Sequence, residues 1–307
     1  MAKDFLVTID TEADNQWDFN HKISTENAKF LPRFQTLCEK YGLKPTWLTN
    51  YEMANDDFFS HYMKEKQDEG LCEIGMHLHA WNTPPEYPLK KTLHERDYLI
   101  EYPLEIMDAK VETMTDVIER RFGKRPTTHR SGRWTTNHDY FTILKKYGYK
   151  IDCSVTPHTD WSRCLGATGL PGSDYSNYPE KAYYIYADIL EIPMTIRRMN
   201  TISLENISSL RNIVGEIKRF IFGRKQWLRP DASLRLKPLI KLIEQISKKN
   251  QYLMFMIHSS ELMPGGSPSF KDEKSIECLY SIIDNIFQKA TSLGYTGKTL
   301  RCFGESI

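Results

Sequence analysis

Residues 73–81 read EIGMHLHAW, an apolar run that ends in two histidines with one residue between them. Side chains at i and i+2 of an extended chain share a face and sit about 6–7 Å apart. His77 and His79 so placed can converge on one metal ion. Short apolar runs of the same kind recur at 5–9 (FLVTI), 45–49 (PTWLT), 126–130 (PTTHR), 149–155 (YKIDCSV), 189–196 (ILEIPMTI), 252–258 (YLMFMIH) and 299–303 (TLRCF). Between several of them lie helical patterns, over 26–41, 58–69, 104–122 and 139–147. Each of these four stops at a glycine, the residue that most readily closes a helix. Strand and helix alternating in this way predict parallel βα units. With seven or eight such units, the expectation is an α/β fold closed into a distorted barrel.

The polar residues then fall into a pattern. Asp10 and Glu12 follow the first run, His77 and His79 the third, Arg130 the fourth, Asp152 the fifth, and His258 ends the seventh. In α/β barrels the C-terminal ends of the strands form the active-site face. A carboxylate from Asp10 or Glu12 would complete a three-ligand site with an open position, as in catalytic zinc centres.

Bulk properties narrow the class. The chain has 307 residues, and its 41 Lys and Arg nearly balance its 40 Asp and Glu, which argues against nucleic acid as the partner. The start, MAKDFLVTID, is too soon polar for a signal peptide, and no apolar stretch approaches the roughly 20 residues that span a bilayer. The six cysteines are scattered without a C-x-x-C pair. A cytoplasmic protein with reduced thiols is expected, folded as one domain over 1–307. Two stretches interrupt the alternation. Residues 156–187 form a long loop rich in tyrosine, glycine and proline, and long ordered loops are often functional. Residues 197–249 form a basic insertion with two helical patterns. These either cover the barrel as solvated amphipathic helices or contact a phosphate-bearing carrier or an anionic membrane surface.

Five motifs in order, FLVTIDTE, EIGMHLH, HRSGRW, YKIDCSVTP and FMIHSSEL, resemble the polysaccharide deacetylase family, the NodB-homology group of carbohydrate esterases. The resemblance spans roughly 5–262. It implies a distorted (β/α) barrel that uses a divalent metal, usually zinc, to remove an N-acetyl or related acyl group from a saccharide. The similarity runs toward cell-envelope and lipopolysaccharide variants, with a nucleotide- or lipid-linked substrate left open. By this resemblance Asp10 is the general base and Glu12 the metal ligand, exchange of the two roles being left open. His77 is a ligand, Arg130 orients the catalytic aspartate, and His258 protonates the leaving amine. Asp152 matches a structural or substrate-facing aspartate.

Two departures stand out. The family has adjacent aspartates where this chain has Asp10 and Thr11, and its histidine ligands are spaced by four, which here reaches Trp81. His79 then stands in as the second histidine ligand, or His258 becomes a fourth ligand. Trp81 and Trp134 are either sugar-stacking or packing residues. Glu261 either tunes His258 or caps a turn. His158, opening the long loop, is the most suspicious of the remaining histidines. The rival readings are another metal hydrolase of barrel fold, and a non-catalytic sugar- or nucleotide-sugar-binding protein on a degraded scaffold.

Overall fold

The computed structural model describes residues 3–18, 22–90, 96–186, 188–199, 223–249 and 251–307. Eleven strands are present among them: β1 (Lys3–Thr11), β2 (Thr46–Thr49), β3 (Glu73–Leu78), β4 (Thr128–Ser131), β5 (Ile151–Asp152), β6 (Tyr183–Tyr186), β7 (Ile189–Glu191), β8 (Ile196–Met199), β9 (Arg224–Trp227), β10 (Leu253–His258) and β11 (Tyr295–Lys298). Nine form one sheet in the order β10-β1-β2-β3-β4-β5-β7-β6, with β11 on β1. All its pairings are parallel except β6 on β7. β1 is central: β10 runs along it from Phe5 to Asp10, β11 pairs with residues 3–6, and β2 with residues 8–11.

The sheet curls into a half-barrel, and the open side of β10 is met by single bonds rather than by a ladder. Met254 N–H donates to Thr195 Oγ1 (2.8 Å), just past β7, and Met256 N–H to the Leu228 carbonyl (3.4 Å), just past β9. The expected strand over 189–196 therefore divides into β7 and β8. Pro193 lies between them and has no N–H to give to a ladder. β8 pairs antiparallel with β9 in a separate hairpin.

Two apolar layers result. Leu6, Leu48, Ile151, Cys153, Met254 and Met256 fill the inside of the curl. Phe34, Trp47, Phe59, Phe122, Phe255 and Phe287 lie in the layer between sheet and helices. The helices Leu31–Lys40, Asp57–Asp68, Leu104–Phe122, His138–Lys146, Leu236–Ser247 and Glu273–Ser292 supply the outer layer. Residues 299–303, expected as a strand, form the short helix Leu300–Gly304, whose Leu300 and Phe303 join the inner layer. The true strand there is Tyr295–Lys298. Of the two helical patterns in 197–249, one lies outside the described residues and the other is Leu236–Ser247. All six cysteines are free thiols, and no described helix is long and apolar enough to cross a membrane.

Candidate metal centre and its surroundings

The register of the sheet assembles the site. Asp10 is aligned with His258 across β1 and β10, and His77 with Arg130 across β3 and β4. Neighbours in register on parallel strands point to the same side. Glu12 lies two residues beyond Asp10 and so shares its face. Its backbone N–H donates to Ser259 Oγ (3.0 Å), and its carbonyl accepts from Asn27 Nδ2 (3.0 Å). After His79 the chain turns back, and Thr83 donates its N–H (3.2 Å) and hydroxyl (2.8 Å) to the His79 carbonyl.

Glu12, His77 and His79 are the group of potential metal ligands found among the described residues, and all three are buried. His79 Nε2 is 3.0 Å from His77 Nε2 and 3.3 Å from Glu12 Oε2, while His77 Nε2 is 3.8 Å from that oxygen. Ligands about 2.0–2.1 Å from a tetrahedral zinc stand ~3.3 Å apart, so this triangle fits one such ion. The tautomer agrees. His77 Nδ1–H donates to the Arg130 carbonyl (3.0 Å), leaving its Nε2 lone pair aimed at the centre. His79 Nδ1 is buried with no hydrogen-bond partner. Burial pulls the pKa of His77 down to about 4 and that of His79 well below its ordinary value, so both are neutral donors. Burial also pushes Glu12 up to about 8, with the Asp10 and Glu261 charges adding to it against His258. A bound cation would reverse that penalty.

Asp10 stands outside the triangle, its Oδ2 4.0 Å from both His77 Nε2 and His258 Nε2. Its other oxygen accepts from Arg130 Nη1 at 2.5 Å. Burial would raise its pKa, but the charges of Arg130, His77 and His258 outweigh it and hold the carboxyl below the ordinary value. Arg130 is itself fully buried, with Nε donating to the Cys153 carbonyl (3.1 Å) and Nη2 to Thr8 Oγ1 (3.0 Å).

His258 keeps a partly open face. Glu261 Oε2 lies 3.1 Å from its Nδ1, and Arg229 holds Glu261 with two bonds of 2.7 and 2.8 Å. Burial lowers the His258 pKa, yet Glu12 and Glu261 overcome this and raise it. Of the two readings of Glu261, the geometry offers both at once, since it also accepts the His258 N–H (3.0 Å).

Other expected residues sit differently. The Trp81 ring stacks on His79 (4.3 Å between centroids), and the Arg96 guanidinium lies over it, so its ring is engaged within the protein. Trp134 is half-buried, follows another residue of positive φ, Arg133, and lies beneath the Arg130 guanidinium beside a cavity. Asp152 takes the structural of its two readings. It is fully buried, bonded to His129 (2.6 Å) and Ser154 (2.9 Å). His129, itself on β4, in turn meets the Tyr140 hydroxyl (2.7 Å) and so ties β4 to the helix His138–Lys146. His158 is away from the centre, paired with Glu180 (2.7 Å). Sequence reasoning missed Arg229, Ser259 and Asn27, which hold site residues in place through contacts that no local motif signals.

No family model matches the chain, and no curated protein matches it in sequence. Solved structures do match in shape. A Mycobacterium smegmatis protein assigned to the polysaccharide deacetylases superposes with a TM-score of 0.52 at 12% identity, over 99% of this chain and 90% of that one. A GH57-type branching enzyme from Pyrococcus horikoshii gives 0.54 at 11% identity, over 99% and 70%. A family 4 carbohydrate esterase from Streptomyces lividans, solved with acetate, gives 0.45 at 11% identity, over 96% and 91%. The chain has the α/β distorted-barrel fold of the NodB-homology deacetylases.

Proposed function

We propose that this chain is a metal-dependent carbohydrate deacetylase, a hydrolase that removes an N-acetyl or N-formyl group from a saccharide. The observation that carries the reading is the division of labour in the site. Glu12, His77 and His79 converge within one ion's reach, while Asp10 and His258 stand 4.0 Å apart beside them, each with its own partner. Amide hydrolysis requires one group to take a proton from water and another to give one to the departing nitrogen. Asp10 is kept ionised by Arg130 and is the base. His258 is kept protonated by Glu261 and is the acid. A divalent cation, zinc by its ligand set, would supply Lewis acidity to water and to the acyl carbonyl. Trp134 offers an aromatic surface beside these groups for a sugar ring.

The motif resemblance favours an N-acyl sugar of cell-envelope or lipopolysaccharide biosynthesis, the scattered cysteines favour a reducing, cytoplasmic setting, and the near-neutral charge balance argues against a nucleic acid partner. Trp81 and Thr11 are what keeps the non-catalytic binder as a rival reading. The closeness of His79 Nε2 to His77 Nε2 (3.0 Å) and to Glu12 Oε2 (3.3 Å) supports reading His79 as the ligand that Trp81 cannot supply and Glu12 as the acid that Thr11 cannot supply. On this reading both departures are compensated by residues two positions from the first ligand or base. The test is release of acetate or formate from N-acyl sugars by zinc-loaded protein. Release that depends on metal and is lost in Asp10→Asn supports the reading, and zinc-loaded protein inert on every N-acyl sugar tried counts against it.

A further inference from the structure

We propose that the saccharide this site takes carries an anionic group, phosphate or carboxylate, which docks in a tryptophan-walled basic cavity beside His258. This rests on the deacetylase reading and specifies its substrate class. The cavity has a volume of about 300 Å³ and includes His258 in its wall. Trp134, Trp161 and Trp227 surround it, with ring centroids 5.9 Å (Trp134 to Trp227) and 6.3 Å (Trp161 to Trp227) apart, both edge to face. Each is only partly buried. Trp161 is fixed on the long loop by Nε1–H donation to Thr156 Oγ1 (2.8 Å). Half-exposed indoles so arranged suit a sugar, with apolar faces and polar edges.

The fourth wall is charged. β9 contributes Arg224, Lys225 and Trp227, and Arg229 follows it. On the paired strand Arg198 lies directly opposite Lys225, and both are exposed. Like charges directly opposed across an antiparallel pair destabilise it. Ile196 and Trp227 are opposed two positions along, beyond Arg197 and Gln226, so alternation along the strands puts Lys225 on the Trp227 side of the hairpin. Among the described residues, acids close to this wall are Asp231 and Asp160. Each caps a turn, accepting the N–H of Ser233 (2.9 Å) and of Ser162 (2.8 Å) respectively. Glu261 is occupied by Arg229 and His258. Turn capping leaves Asp231 and Asp160 charged, and Asp160 feels the Lys225 charge, but the four cations Arg198, Arg224, Lys225 and Arg229 still outnumber the three carboxylates Asp231, Asp160 and Glu261, so the balance beside the cavity is positive. Guanidinium and ammonium groups bind phosphate and carboxylate through charge-assisted hydrogen bonds, and an anion here would relieve the Arg198–Lys225 repulsion.

The experiment titrates zinc-loaded protein with N-acetylglucosamine, N-acetylglucosamine 1-phosphate and N-acetylmuramic acid. Wild type is expected to bind at least one anionic sugar about tenfold or more tighter than the neutral one, with the advantage shrinking as salt rises. Which of the two is preferred separates phosphate from carboxylate. Lys225→Glu creates an Arg198–Glu pair across the hairpin. It is expected to melt no lower than wild type while binding neutral and anionic sugars within about twofold of each other. Equal affinity of wild type for all three sugars overturns the inference, as does a preference that survives in Lys225→Glu. If neutral sugar is hydrolysed without any anion preference, the cavity assignment fails and the deacetylase reading stands. If the anion preference is present but no N-acyl sugar is hydrolysed, the deacetylase reading fails and the cavity assignment stands.

Discussion

Asp10 and Arg130 form a fully buried pair, 2.5 Å between Oδ1 and Nη1, joining the ends of β1 and β4. Arg130 also holds Thr8 and the Cys153 carbonyl, so the pair ties three strands at the floor of the site. Removing one partner of such a pair leaves a buried charge uncompensated. Arg130→Met is expected to lower stability by about 3–5 kcal/mol in urea unfolding. Asp10 would lose the charge that holds its pKa down, so residual activity should need a higher pH. An unchanged unfolding midpoint would contradict this account of Arg130.

His258 is expected to act as acid through its proton, which Glu261 helps retain. His258→Ala should keep its metal and lose about 10²–10⁴-fold in turnover on an amide. Glu261→Gln removes a negative neighbour, so the His258 pKa should fall. The alkaline limb of kcat/KM would then move to lower pH. A merely structural Glu261 would lower activity without moving the limb. Loss of metal in His258→Ala, with the fold intact, would make His258 a ligand instead.

Glu261 also makes stability depend on pH. Burial would raise its pKa, but Arg229 and His258 outweigh burial and hold it at about 2 in the folded chain, against 4.5 unfolded. A depressed carboxyl contributes stability that is complete above the unfolded value and is lost as pH falls through the folded one. The 2.5-unit difference corresponds to about 3 kcal/mol. The stability gap between wild type and Glu261→Gln should be largest above pH 5 and close as pH falls toward 2. A gap independent of pH would count against the Arg229–Glu261–His258 arrangement.

Much of the candidate site was legible because its candidate ligands lie at or just past the ends of strands that read clearly as apolar runs. His77 and His79 advertise a shared face by spacing alone, and helix Leu104–Phe122 has the bounds its pattern predicts. The strands that were missed, β6 (YYIY) and β9 (RKQW), lie on exposed, polar or aromatic ground where no apolar alternation is required. The run TLRCF was misread because Leu300 and Phe303 are apolar for a different reason, to fill the inside of the curl from a short helix. Asp152 looked available because it ends a strand. Its burial against His129 depends on contacts that sequence spacing cannot display.

Gly132 is a second residue whose role is visible only in space. A Cβ there would stand 2.5 Å from the Leu78 carbonyl oxygen and 2.7 Å from His79 Cδ2. The closer contact is with backbone, so the chain at Leu78 and His79 or at Gly132 must move, and the His79 ring moves with it. Gly132→Ala is expected to weaken zinc affinity by at least about tenfold, the loss seen when groups that orient a ligand are disturbed. Competition with a fluorescent chelator measures it. Wild-type affinity would show that His79 is not held where the ion binds.

The central claim is that Glu12, His77 and His79 together hold one divalent cation. Elemental analysis of purified wild type, Asp10→Asn, His77→Ala and His79→Ala, each checked for fold by circular dichroism, tests it most directly. The account predicts about one zinc per chain in wild type and in Asp10→Asn, and loss of the metal in both histidine variants. Folded His77→Ala and His79→Ala proteins that retain wild-type metal, or a wild type that cannot be loaded at all, would contradict it.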